Sequence, residues 1–324
     1  TSKGIFDYRT IPAHETLRKT VTFKAFTRFL QRMANRKAFG IDGIPAEILK
    51  HAPHAFKLRL CLLVNEILTS RFKIPKIALI ARVVLLYKKS DPQHLSNYRP
   101  IALLNSVYQL INIILADRLQ SMAEKHLVFE SSQFGFRWHR GVANSAQKQQ
   151  WLLKAAKQGN TIIRIDLDYT NAFNAAGHSC LWSILEKFGV PDISLLQSIY
   201  ESSTMRVSVD AQDTADIFMD TGTAQGSALS PLLFDLFINA LLRLLNATGT
   251  PHGAPGLPGF NHLAFADDLS LYIKCTRDAN ELLSIVNNFE QWSGLKIALK
   301  KSFVTGILHG SGAIFRRDGP LRTS

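Results

Sequence analysis

Residues Asn261–Ile273 read NHLAFADDLSLYI. Two adjacent carboxylates, Asp267 and Asp268, interrupt apolar runs that otherwise have the pattern of buried strand. Charge in such a place is costly, so the acids either occupy an exposed tight turn or are neutralised by something cationic. Asp is a common former of two-residue hairpin turns, and for the pair alone that reading suffices. A second acidic strand lies 99 residues upstream of Asp267, where Ile162–Asn174 read IIRIDLDYTNAFN. Asp166 and Asp168 alternate onto one face of that strand. If it lies beside the hairpin, Asp168 and Asp267 converge at the end of a sheet. Two converging carboxylates make a site for divalent cations. Mg²⁺ prefers oxygen ligands and usually binds through one or two carboxylates plus substrate phosphates. A pair of such ions about 3.5–4 Å apart clamps the attacking and leaving oxygens of an in-line displacement at phosphorus.

The bulk composition is compatible with that chemistry. The chain has 324 residues, 46% of them hydrophobic and 19% charged, as in ordinary folded proteins and unlike disordered ones. Its net charge of +13 suggests a polyanionic partner, nucleic acid first and an anionic membrane surface second; a solubility device is the plainer reading. Cys61, Cys180 and Cys275 have neither disulfide-scaffold nor zinc-ligand spacing, which fits a reducing, intracellular compartment. The first residues, TSKGIFDYRT, lack both an initiator Met and the apolar core of a signal peptide, suggesting a fragment of a longer product. The longest uncharged apolar stretch, IALLNSVYQLINIILA, is short and carries Asn, Ser and Gln, so no membrane span is expected.

Periodicity predicts helices through the first 75 residues, then a β-hairpin from ARVVLLYK and RPIALL, then a long helix, NSVYQLINIILADRLQSMAEKHL. A further helix is expected near Gln147–Lys157. From Thr161 the expected order is strand, helix, strand pair, helix, hairpin, helix and strand, with SPLLFDLFINALLRLLN a core helix and Asp278 the N-cap of the last one. Such an order implies an α+β fold: an antiparallel sheet with helices on one face.

DYTNAFN, QGSALSPLLFDLFIN and FADD, in this order, resemble the three palm motifs of reverse transcriptases. The nearest resemblance is to non-LTR (LINE-like) retrotransposon enzymes and their group II intron relatives. GIDGIPAEILK, ARVVLLYKKSDP, NYRPIALLNSVYQLINIILADRL and QFGFRWHRG resemble fingers segments of that family, and SGLKIALKKS its next palm motif. The resemblance runs from about Phe39 to Leu308. It implies a right-hand polymerase, with fingers over residues 1–158, a palm sheet backed by helices over 159–308, and 309–324 as a tail or the start of a truncated thumb. The implied activity is RNA-directed DNA synthesis, with an RNA template, a DNA primer and dNTPs as partners and no membrane. The implied cofactor is Mg²⁺, two ions, with Mn²⁺ as the alternative. The implied place of action is nuclear if the element is eukaryotic.

The family's site maps position by position. Asp168 corresponds to the first metal-binding aspartate and Asp267 to the second, with Asp268 beside it as a further catalytic and metal-binding candidate. Asp166 is then structural. Phe173 falls at the sugar gate, where a ring under the sugar leaves no room for a 2′-hydroxyl; a core Phe is the alternative. Gln225 and Gly226 match the pair that contacts nucleotide and template, and a helix start ahead of Pro231 fits them equally. Lys88 and Arg99 match the cations that hold the incoming triphosphate. Lys301, with Lys300 next to it, matches a palm lysine near the departing pyrophosphate. RWHRG could touch single-stranded template or form a solvated loop. The chain departs from the family at Asn174 (usually Asp), at Ala176 and Gly177 before His178 (usually Val-Asp), at Ala228 (commonly Pro) and at Ala298 (usually Asn). These departures keep open a catalytically degenerate relic that acts as an RNA-binding scaffold; a two-metal nuclease is a third reading.

Overall fold

The structure, a computed structural model, describes residues 9–88, 91–157, 162–209, 212–219, 221–223, 226–248, 259–274, 276–307 and 315–320. Helices α1 (Phe23–Arg32), α2 (Ala46–His51) and α3 (His54–Leu68) come first. Thr22 caps α1, its hydroxyl accepting from the Ala25 N–H, and Pro45 and Pro53 stand immediately before α2 and α3. β1 (Ile80–Tyr87) and β2 (Tyr98–Leu103) form the expected antiparallel hairpin, paired from Arg82↔Leu103 to Tyr87↔Tyr98. There follow α4 (Ser106–Lys125), α5 (Val142–Lys157), β3 (Ile162–Leu167), the single turn α6 (Ala172–Ala175), α7 (His178–Lys187) and α8 (Ile193–Glu201). Next are β4 (Thr204–Val209), β5 (Gln212–Asp213), β6 (Ile217–Phe218) and α9 (Ser230–Thr248). The described elements end with β7 (His262–Phe265), β8 (Asp268–Ile273), α10 (Thr276–Ser293), β9 (Phe303–Ile307) and β10 (Phe315–Pro320).

These elements cluster into two compact units, each discontinuous in sequence. One draws on Thr1–Thr10, Ala123–Phe188 and Pro231–Ser324, the other on Ile11–Met122 and Gly189–Ser230. The sequence expectation instead divided the chain into consecutive segments, 1–158, 159–308 and 309–324.

The first unit is organised by a sheet of strand order β10-β9-β3-β8-β7, antiparallel throughout. Ile162, Ile165 and Leu167 of β3 are buried, as are Leu269, Leu271, Tyr272 and Ile273 of β8. Phe134, Leu152, Ile162, Phe260, Leu263 and Tyr272 form one apolar cluster. Burying each such large side chain contributes on the order of 1.5–3 kcal/mol. Among the described residues Ser230–Ala247 is long and apolar enough to cross a membrane, but 78% of it is buried inside the protein, as in a core helix.

The second unit carries the sheet β2-β1-β4-β5, with β6 paired to β4. The expected partnership of MRVSV with DIFMD is present as β4 with β6, Thr204↔Phe218 and Met205↔Ile217. The expectation that these strands share the acidic sheet is corrected. β4 runs parallel to β1, from Ile80↔Thr204 to Val83↔Val207, because the chain returns to a strand more than 100 residues earlier. The expected N-cap is corrected too. α10 begins at Thr276, and Asp278 lies in its first turn, accepting from the Lys274 N–H at 3.1 Å.

Candidate active site

The FADD hairpin forms as the sequence suggests, with Phe265 paired to Asp268 around a two-residue turn of Ala266 and Asp267. Ala266 has φ +55°, a conformation a two-residue hairpin demands and a non-Gly residue resists. β8 leaves that turn alongside β3, and their last paired residues are Leu167 and Leu269. One step further the register sets Asp168 opposite Asp268, on the face already carrying Asp166 opposite Ser270. Adjacent strands are about 5 Å apart, so Asp168 and Asp268 are cross-strand neighbours. Asp267 precedes Asp268 at the tip.

Loss of hydration raises the Asp268 carboxyl above its usual range, and Asp168 and Asp166 raise it further. Asp166 is occupied structurally, as expected: its Oδ1 accepts from Arg164 Nε at 2.7 Å and from Ser270 Oγ at 2.5 Å. Asp168 is held by its backbone, its N–H donating to Ser302 Oγ at 3.1 Å and its carbonyl accepting from Ala298 N–H at 2.7 Å. That leaves the Asp168 carboxylate facing Lys301, whose Nζ is 3.3 Å from Oδ2. Of the two candidate lysines it is therefore Lys301 that meets the acid. Among the described residues no three His, Cys, Asp or Glu side chains form a ready-made metal cage. The donor set nevertheless fits a hard divalent cation. It offers carboxylate oxygens alone, and such an ion would offset the burial and the neighbouring acids that raise Asp268.

Phe173, in α6, is partly buried. Its ring stacks on the fully buried Phe234 at 4.4 Å between centroids and meets Phe136 edge-on at 6.3 Å. The ring is thus both a packing group, as the alternative held, and fixed in plane.

The triphosphate candidates lie in the other unit. Arg99 is paired with Leu86 on the hairpin, and the Lys88 N–H donates to the Asn97 carbonyl at 2.9 Å. Continuing the alternation puts Lys88 and Arg99 diagonally on one face, and both are exposed. Gly226 has φ +130°, and an added Cβ would stand 2.1 Å from the Ala102 carbonyl oxygen. Its need for glycine is therefore explained by close approach to β2, where the sequence suggested approach to a substrate. Gln109 Nε2 donates to its carbonyl at 3.3 Å. Gln225 lies outside the described residues.

RWHRG needs correction at its first residue. Arg137 is buried, donating to both Glu124 oxygens at 2.9 and 2.6 Å and to the Glu130 and Gln133 carbonyls at 2.8 and 3.3 Å. It holds a loop and is not available to nucleic acid. Trp138 is exposed. Two residues had no role in the sequence reading. Gln133 is fully buried against the Ala266 turn. Asp235, fully buried on α9, has neither carboxylate oxygen hydrogen-bonded among the described residues, and burial pushes its carboxyl well up, with Glu124 and Asp267 adding to the effect and Arg137 opposing it. A charged residue inside an otherwise apolar helix was the only sequence signal for Asp235.

Residues 87–307 match the family model described as reverse transcriptase (RNA-dependent DNA polymerase). The chain is 29% identical over 272 residues to the retrovirus-related Pol polyprotein from type-2 retrotransposable element R2DM of Drosophila melanogaster, covering 83% of this chain and 25% of the relative. It is 30% identical over 245 residues to the corresponding polyprotein from type-1 retrotransposable element R2 of Popillia japonica, covering 74% and 34%. The RNA-directed DNA polymerase from mobile element jockey of Drosophila funebris is 24% identical over 279 residues, covering 84% and 30%. The chain thus spans about a quarter to a third of the length of these curated relatives.

Proposed function

We propose that this chain, which belongs to the reverse transcriptase (RNA-dependent DNA polymerase) family, is the polymerase segment of a non-LTR retrotransposon product and copies an RNA template from a DNA primer. The observation that carries the reading is the acidic end of the β3–β8 pair. Asp168 and Asp268 face one another there with Asp267 at the turn, and burial, with Asp168 and Asp166 adding to it, raises the Asp268 carboxyl. Asp168 and Asp267, with Asp268 beside them, would hold two Mg²⁺ ions together with the phosphates of the substrate. When bound, such ions lower the pKa of a hydroxyl nucleophile and stabilise charge on the leaving phosphate.

The chain's own residues do the rest. The Arg164 and Ser270 bonds hold Asp166 aside, so that Asp168 is the acid presented at the strand end. Lys301, with its Nζ 3.3 Å from Asp168 Oδ2, is the cationic side chain that would meet the departing pyrophosphate. Phe173, its plane set by Phe234, lies under the sugar and selects deoxynucleotides. In this reading the acidic sheet belongs to the palm and the β1–β2 hairpin to the fingers. Lys88 and Arg99 neutralise the incoming triphosphate, Arg99 with two parallel donors and Lys88 as a point charge. Gln225 and Gly226 contact nucleotide and template. The rate comes mainly from positioning and electrostatics.

The test is primer extension. The protein with an RNA template, a DNA primer, dNTPs and Mg²⁺ should extend the primer, and Asp267→Ala should abolish extension. Equal extension by the variant rules this site out. Salt-sensitive binding of primer–template without incorporation would instead mark a scaffold, and cleavage in place of extension a nuclease.

A further inference from the structure

The turn that presents Asp267 does not hold its shape alone. Ser132–Gly135 runs along its flank: the Phe134 N–H donates to the Ala264 carbonyl and the Ala264 N–H to the Ser132 carbonyl, both at 2.9 Å, with Gln133 bridged in parallel to Ala264. Gln133 has no exposed surface. Its Oε1 accepts from the N–H groups of Phe134 and Gly135 at 2.9 Å and of Ala266 at 3.0 Å, while Nε2 donates toward the Ala266 carbonyl at 3.4 Å. Three donors converge on one atom, which settles that atom as the amide oxygen. Gly135 closes the contact, since a Cβ there would be 2.4 Å from the Ala266 nitrogen. Both backbone polar groups of Ala266, a buried residue with φ +55°, are thus addressed by one side chain.

We propose that Gln133 is a positioning residue that fixes the Ala266–Asp267 peptide and, through it, the direction of the Asp267 carboxylate toward the metals. The inference rests on the reading of Asp267 as a metal ligand. A left-handed alanine persists only where its surroundings over-determine it, and here Gln133 and Gly135 do so. The Oε1 bond fixes the peptide entering Ala266, and the peptide leaving it, which carries Asp267, cannot rotate without breaking the Nε2 contact to its carbonyl. Partners that orient a metal ligand in this way typically change metal affinity or activity by about 10–100-fold when removed.

Gln133→Asn separates this role from the plainer one of satisfying the residue's own loop. An Asn at that place can still accept from the N–H two residues on, as such side chains do in turns, but it is one methylene too short to reach Ala266. The expected result is a kcat for primer extension lower by about tenfold or more and a Mg²⁺ half-saturation raised by a similar factor, with dNTP KM within about twofold. Adding Ala266→Gly removes the steric cost of the left-handed turn but not its freedom to rotate. The double variant Gln133→Asn/Ala266→Gly should therefore recover thermal stability while kcat stays low. If the single variant is too unstable to assay, the double variant carries the test. Wild-type kcat and Mg²⁺ half-saturation in either folded variant overturns the inference. Asp267→Asn run in parallel separates the two levels. If it is inactive while Gln133→Asn is normal, only the positioning role falls; if it is fully active, the site reading falls and the inference with it.

Discussion

Acid should loosen the support behind the Asp267 turn through one buried histidine. His262, on β7, is 2% exposed, with Nδ1 2.6 Å from Asn261 Oδ1 and Nε2 2.6 Å from Ser132 Oγ. Asn261 Nδ2 is committed to the Leu245 carbonyl at 2.7 Å, so Oδ1 must accept. Nδ1 therefore carries the proton and Nε2 accepts from the serine, a neutral imidazole with both nitrogens satisfied. Burial, helped by nearby Lys148, pushes its pKa down from 6.5 to about 3. The sign follows. The unfolded chain takes up a proton below about pH 6.5 that the folded chain refuses, so this stability is intact above that pH and lost as pH falls toward about 3. The slope is about 1.4 kcal/mol per pH unit, and the whole window bounds the loss at about 5 kcal/mol, a large part of the 5–15 kcal/mol typical of a domain. His262→Gln cannot take up that proton. It should cost about 1–3 kcal/mol near neutral pH through imperfect bonding to Ser132 and Asn261. Urea unfolding of both proteins from about pH 7.5 to about pH 4.5 reads the difference, in which acid effects common to both cancel. The gap should shrink by about 2–3 kcal/mol across that range. A gap that stays constant refutes the buried, neutral histidine.

Further outcomes follow from other positions. Gly226→Ala forces a Cβ to 2.1 Å from the Ala102 oxygen at φ +130° and should cost about 2–4 kcal/mol in urea unfolding; a change under about 0.5 kcal/mol would contradict the close approach. Asp235→Asn removes an acid whose folded pKa is raised, so it should stabilise the protein at neutral pH, with the benefit vanishing below the ordinary carboxylate range; destabilisation that is independent of pH would show that the carboxylate is wanted. Lys301→Met removes a largely exposed pair at 3.3 Å, so stability should move by less than about 1 kcal/mol while extension slows; a large stability loss with normal extension would reverse the assignment.

The parts of this fold that were legible in the sequence are those with local signals. The FADD hairpin could be read because apolar alternation flanks two turn-forming acids, and β1–β2 because β-branched runs flank a polar turn. Asp166 and Asp168 could be put on one face because strand periodicity is strict. That Asp268, and not Asp267, stands directly across from Asp168 was not legible. It depends on the β3–β8 register between strands about 100 residues apart, whereas the two-residue turn sets only the register of β7 with β8. The parallel pairing of β4 with β1 left no local trace either, since its partners are more than 100 residues apart. Arg137 and Gln133 were misplaced or passed over for a shared reason. Polar side chains read as surface, and only their hydrogen-bond partners, distant or backbone, reveal them as buried supports.

The central claim is that Asp168 and Asp267 together hold the divalent ions of a nucleotidyl-transfer site. Mn²⁺ binding followed by electron paramagnetic resonance, on protein loaded with RNA template, a chain-terminated DNA primer and dNTP, measures this without requiring turnover. The account predicts about two tightly bound ions in the unaltered protein, with affinity falling about tenfold or more in Asp168→Asn and in Asp267→Asn. The same number of ions held at the same affinity in either variant would contradict it.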